Sequence, residues 1–70
     1  MLPISMAGVG EKNIIAKITG KDEVRQHLAE LGFVVGEEIT VLAKSGGNMI
    51  ISIKDGRVGI DKSMSTRILI

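Results

Sequence analysis

The chain has 70 residues, one histidine and no cysteine, and its nine basic and eight acidic residues leave a net charge of +1. That length supports one small domain over residues 1–70, and the missing thiols exclude disulfides and thiolate metal ligands. An apolar content of 44% excludes disorder, while near-neutral charge and a single aromatic, Phe33, leave no broad field for phosphates and no stacking platform for single-stranded nucleic acid.

In chain order, Leu2, Ile4 and Met6 alternate ahead of Gly8 and Gly10, which predicts a short edge strand or a packed arm. "MLPISMAGVG" has neither a basic start nor a long apolar run, and no apolar stretch is long enough to span a bilayer, so a soluble intracellular protein is expected. Asn13 to Thr19 reads as one strand, with Ile14, Ala16 and Ile18 on one face and Lys17 on the other. "TGKDEVRQHLAELGF" predicts a helix, capped at its start by Thr19 with Asp22 or by Gly20 with Glu23. Val24, Leu28 and Leu31 form its core stripe. Gly32 stands where a left-handed residue ends a helix, and Phe33 is placed to fold back on Leu28.

After Gly36 the period becomes twofold. Ile39, Val41 and Ala43 predict one strand face, "SGGN" a turn, and Met49, Ile51 and Ile53 the next strand. Asp55-Gly56 predicts a two-residue type I′ turn, with Val58 and Ile60 beyond it. "DKSMST" is a short connection of about one helical turn, and Ile68 and Ile70 close the chain in a last strand, with Leu69 on the opposite face. About five short strands cannot make two packed sheets in so short a chain. The expected fold is therefore mainly β: a small SH3-like barrel of about five strands with one inserted α-helix.

The segments "RQHLAELGFVVGEEITVL", "MIISIKDGRVGID" and "TRILI" resemble the FeoA family of ferrous iron transport proteins. Its pattern is a helix ending Leu-x-x-Leu-Gly followed by an apolar residue, then a strand, a turn, a hairpin and an Ile-rich final strand. Leu28, Leu31, Gly32, Phe33 and Gly36 match the first part, and Gly56, Ile60 and Ile68 the second. The chain departs at Val35, where the family often has Pro, and at Asp61, where it often has a basic residue. The resemblance implies a cytoplasmic accessory protein of bacterial ferrous iron uptake, recruited to the inner face of the membrane only through its partner. That partner would be the FeoB transporter or its cytosolic G-domain, with no nucleic acid involved and a homo-oligomer left open. The barrel also resembles the C-terminal domain of metal-dependent repressors, so a metal-sensing module is the alternative.

The residues themselves offer little catalytic chemistry, and an enzyme is not expected. Gly20-Lys21 is followed by Asp22, so there is no phosphate loop, and neither Glu37-Glu38 nor Asp22-Glu23 shares a face as an acid–base pair would. Glu23, His27 and Glu30 fall at i, i+4 and i+7 on one helix flank, and imidazole with carboxylates suits Zn(II) or Fe(II). No cofactor is required, and a weak metal site competes there with the plainer reading of a solvated charged flank. Partner binding is expected at Arg25, Leu28, Ala29, Phe33, Val34 and Val35. The helix face is small at Ala29, and three consecutive apolar residues after the helix exceed what a turn needs. The alternative is that Phe33 and Val35 both pack inward. The Gly46-Gly47-Asn48 turn is a second candidate surface. With one aromatic, an aromatic-lined groove for proline-rich ligands is rejected.

Overall fold

Twofold alternation of β-branched residues builds the centre of the molecule. A computed structural model describes residues 1–70. Strands β1 (Lys12–Ile14), β3 (Glu38–Ser45), β4 (Asn48–Ile53) and β5 (Gly56–Ile60) form one antiparallel sheet in the order β1-β3-β4-β5. Ile39 pairs with Ile53, Val41 with Ile51, and Met49 with Ile60, and all six are buried on the inner face. Thr40, Ser52 and Arg57 lie in one register row on the outer face. The register slips between Val41 and Ala43, leaving Leu42 as the extra residue of a bulge. Ala43 therefore pairs with the exposed Ile50 instead of continuing the inward face of Ile39 and Val41. Such a bulge bends its strand and adds twist, which helps the sheet to curl.

The first hairpin turns where the sequence predicts, and the second turns one residue earlier. Ser45 pairs with Asn48, so Gly46 and Gly47 are the loop, and their φ values of 56° and 90° are those a type I′ turn requires. In the second hairpin Ile53 pairs with Gly56, so the loop is Lys54-Asp55 and not Asp55-Gly56. Lys54 takes the left-handed conformation at φ 53°, and Gly56 begins the strand. A loop at Asp55-Gly56 would shift the register by two residues, keeping the same faces but setting Met49 opposite Lys62. The observed register gives Met49 the apolar Ile60 and leaves Asp61 free to start the next helix.

The strand expected over Asn13 to Thr19 is two strands, bringing the total to six. β1 pairs with β3, whereas β2 (Lys17–Ile18) pairs with β6 (Ile68–Leu69). The chain changes partner between them: the Ile15 N–H donates to the Glu37 carbonyl at 2.9 Å and the Ala16 N–H to the Leu69 carbonyl at 2.7 Å. This corner resets the alternation. Ile15 is buried at 1% exposure while Ile14, expected inside, is 53% exposed. The N-terminus docks as a packed arm. Leu2 and Ile70 exchange backbone hydrogen bonds of 2.9 and 2.7 Å, and Ile4–Met6 form a 3-10 turn. Of the alternating trio only Ile4 is buried, because a 3-10 turn does not keep a twofold period.

Helix α1 (Asp22–Glu30) lies between β2 and β3 in the chain. Lys21 occupies its N-cap and no side chain caps it, so neither expected capping pair forms. Asp22 and Glu23 in the first turn still suit the positive end of the helix dipole. Leu28 is buried, with Val24 and Leu31 packed against the core, as the stripe requires. The expected C-terminal stop is present. The Phe33 N–H donates to the Leu28 carbonyl and the Gly32 N–H to the Ala29 carbonyl, both at 2.9 Å, with Gly32 at φ 105°. Helix α2 (Lys62–Ser65) is the expected single turn. The molecule measures 29 × 24 × 23 Å, as a curled sheet does and a flat one does not.

Candidate functional site

The end of α1 and the segment after it build one side of a groove. The Schellman bonds turn the chain sharply at Gly32 and drive the Phe33 ring inward, where it is 1% exposed. Two backbone bonds then hold the following residues: the Gly36 N–H donates to the Ile15 carbonyl at 2.8 Å and the Glu37 N–H to the Val34 carbonyl at 3.1 Å. Val34 and Val35 project from this fixed segment and are 38% and 65% exposed. Across from them stand Ala29 on the exposed side of α1 and Ile18 on β2. The space enclosed is a groove of about 410 Å³ with Phe33 at its floor.

Two cations complete the lining, Lys17 from β2 and Arg25 from α1. Lys17 makes no side-chain hydrogen bond or ion pair within the chain. Arg25 reaches Asp22 at 3.5 Å, but both side chains are largely in water, where such a pair contributes little. No acidic residue lines the groove.

Five of the six residues expected to bind a partner, Arg25, Ala29, Phe33, Val34 and Val35, meet in this one groove. Leu28 does not. At 0% exposure it belongs to the core, because the stripe that makes it a helix anchor also turns it away from solvent. Phe33 is reachable only from within the groove. Lys17 and Ile18 lie outside the expected set. Alternation alone puts Lys17 on an outer face, and only the pairing of β2 with β6 carries that face to the side of α1.

The other expected sites are placed differently. Glu23, His27 and Glu30 are all exposed on α1, and no set of three His, Cys, Asp or Glu side chains converges anywhere as a metal ion would need. The Gly46-Gly47-Asn48 turn borders a small hollow of about 170 Å³. A larger groove of about 490 Å³ is lined by residues of β3, β4 and β5 and by Met64 of α2. Its charged groups are already engaged. The Lys44 Nζ donates to the Ser5 carbonyl at 3.0 Å, and Asp61 Oδ1 accepts from the Met64 N–H at 2.9 Å and the Ser63 hydroxyl at 2.8 Å. Those two hydrogen bonds, the Met64 N–H foremost, hold the Asp61 carboxyl below its usual range. Asp61 is thus the N-cap of α2, a local role for the acid that stands where a basic residue is often found.

Curled sheet, inserted helix and closing β2–β6 ribbon together define an SH3-like barrel domain. Within that class the chain belongs to the FeoA family, whose domain profile matches residues 2–70. A Methanocaldococcus jannaschii protein provisionally named Fe(2+) transport protein A is 29% identical over 70 residues, covering all of this chain and 85% of that one. The crystal structure of an iron uptake regulatory protein, FeoA, superposes with a TM-score of 0.89 at 34% identity, over 96% of this chain and 91% of that one. A Stenotrophomonas maltophilia FeoA complexed with zinc, described as a prokaryotic SH3 domain protein, gives a TM-score of 0.84 at 23% identity, over 99% and 88% of the two chains. The same fold recurs within a manganese-dependent transcriptional repressor, with a TM-score of 0.86 at 17% identity over 94% of this chain but 38% of that one.

Proposed function

We propose that the chain is a small cytoplasmic accessory protein of ferrous iron uptake that acts by protein contact with the FeoB transporter or its cytosolic G-domain. The observation that carries this reading is the family match from residue 2 to residue 70, which includes every element of the barrel. Two further points support it. No helix is long and apolar enough to cross a membrane, and the groove beside α1 offers an exposed apolar rim rather than a constellation of reacting groups. On this reading the protein reaches the membrane only through its partner. The test is co-purification of the tagged chain with FeoB from membranes, with and without guanine nucleotide. Retention that depends on FeoB supports the reading, and its absence under every nucleotide condition defeats it.

The metal-sensing alternative draws on the fold shared with the manganese-dependent repressor and on the zinc complex of the S. maltophilia protein. The only histidine, His27, is its natural anchor. Anaerobic calorimetry with Fe(II) decides it: identical heats for the native chain and for His27→Ala would remove the helix flank from consideration.

A further inference from the structure

We propose that the groove beside α1 takes an acidic amphipathic segment of another protein, one that seats an aliphatic side chain over Phe33 and sets carboxylates against Lys17 and Arg25. This rests on the reading of the chain as a contact protein and adds the chemistry of what it contacts.

Three observations carry it. First, Val35 is apolar at 65% exposure with no structural need for it, and Val34 beside it keeps 38% of its surface in solvent. The bonds that hold their segment run through backbone groups, Gly36 to Ile15 and Glu37 to Val34, and any side chain would permit them. Their exposure leaves an apolar rim over a buried aromatic floor, a concave shape suited to a protruding side chain. Second, the charges are of one sign. Lys17 and Arg25 are the charged residues of the lining, and Lys17 has no partner within the chain, in contrast to Lys44 and Asp61 at the larger groove. Complementarity therefore calls for an acidic ligand. Third, the groove does not suit its own counterpart on a second copy. A twofold contact would bring the patch against itself and set Lys17 and Arg25 of one copy near those of the other. Because backbone hydrogen bonds already hold the groove, little ordering is needed when a ligand arrives.

The test uses the isotopically labelled full chain and two short synthetic peptides with the same central leucine, one flanked by glutamates and one by lysines. The acidic peptide is expected to shift the amide signals of Ile18, Ala29, Val34 and Val35, with an affinity that falls as salt rises. The lysine peptide is expected to leave them in place. Combined Lys17→Glu and Arg25→Glu should weaken acidic-peptide binding by roughly tenfold or more, with the melting temperature unchanged. Val35→Ser should weaken it at unaltered charge. Equal response to both peptides, shifts centred elsewhere, or no shift overturns the inference. So does self-association through these residues, or binding to vesicles containing phosphatidylglycerol without binding to peptide. FeoB co-purification is run on the same variants. Retention of FeoB by the Lys17→Glu, Arg25→Glu chain sinks the groove but spares the reading above. Loss of FeoB from the native chain as well, alongside specific peptide binding, does the reverse.

Discussion

Asn13 faces inward on β1 opposite Ile39, yet its side-chain Nδ2 is buried with no hydrogen-bond partner. An unmet buried donor carries its desolvation cost without return, about 1–3 kcal/mol where burial is complete. Asn13 is only partly buried, so Asn13→Leu, similar in shape, is expected to stabilise the fold by about 1 kcal/mol. Urea denaturation reads this directly, and a lower midpoint would show that Nδ2 is satisfied in solution. Asp61 behaves oppositely, as a polar group fully used. Its folded pKa is lowered below the ordinary 3.8, so its capping stabilisation is complete above that value and is lost as the pH falls through the lowered one. Asp61→Ala should lower stability at neutral pH. Asp61→Asn, which keeps an acceptor for the Met64 N–H, should flatten the acid limb of the stability curve. An acid limb identical to that of the native chain would refute the capping role.

At the scale of elements, glycine decides where α1 ends. A Cβ at Gly32 would sit 3.6 Å from the Ile53 side chain, an ordinary contact, so space is not what requires glycine. The requirement is the φ of 105°, which an L side chain adopts only under strain. Gly32→Ala should therefore cost roughly 1–2 kcal/mol. Gly46, at φ 56° with nothing near its absent Cβ, is the contrasting case. Asn tolerates that conformation and narrows the unfolded ensemble, so Gly46→Asn should leave stability unchanged or raise it by about 0.5 kcal/mol. Measured midpoints that moved the same way for both variants would contradict this account of the two turns.

At the scale of the whole molecule, core and surface of the helix–barrel joint should separate experimentally. Phe33 is the largest fully buried side chain, and Phe33→Ala should cost about 3–5 kcal/mol, much of what holds a domain this small. Val35→Ser removes an exposed side chain and should change stability by less than about 0.5 kcal/mol. Partner binding should fall in both variants, but only in Phe33→Ala through loss of fold. Circular dichroism melts run beside binding assays on each variant separate the two causes. A native melt for Phe33→Ala would mean that the ring is not the anchor its burial makes it.

Where a signal was local, the sequence determined the outcome. The 3.6-residue stripe of Val24, Leu28 and Leu31 made α1, Gly32 and Phe33 stopped it, and the alternation of Met49, Ile51 and Ile53 made β4 with its buried face. These features depend on neighbours within a few residues, so period and turn chemistry reveal them. Only the tertiary structure decided that Asn13 to Thr19 is two strands, because the corner at Ile15 and Ala16 exists only where the chain leaves Glu37 for Leu69. Leu42 became a bulge, and the second hairpin turned at Lys54, through register against distant strands. The groove divides in the same way. Arg25, Ala29, Phe33, Val34 and Val35 were legible because they adjoin one another on the helix and its exit. Lys17 and Ile18 were not, since pairing with a strand some fifty residues further along the chain brings them there. Phe33 is buried and Val35 exposed because a single capped turn points one side chain inward and the other out, a direction that no periodicity encodes.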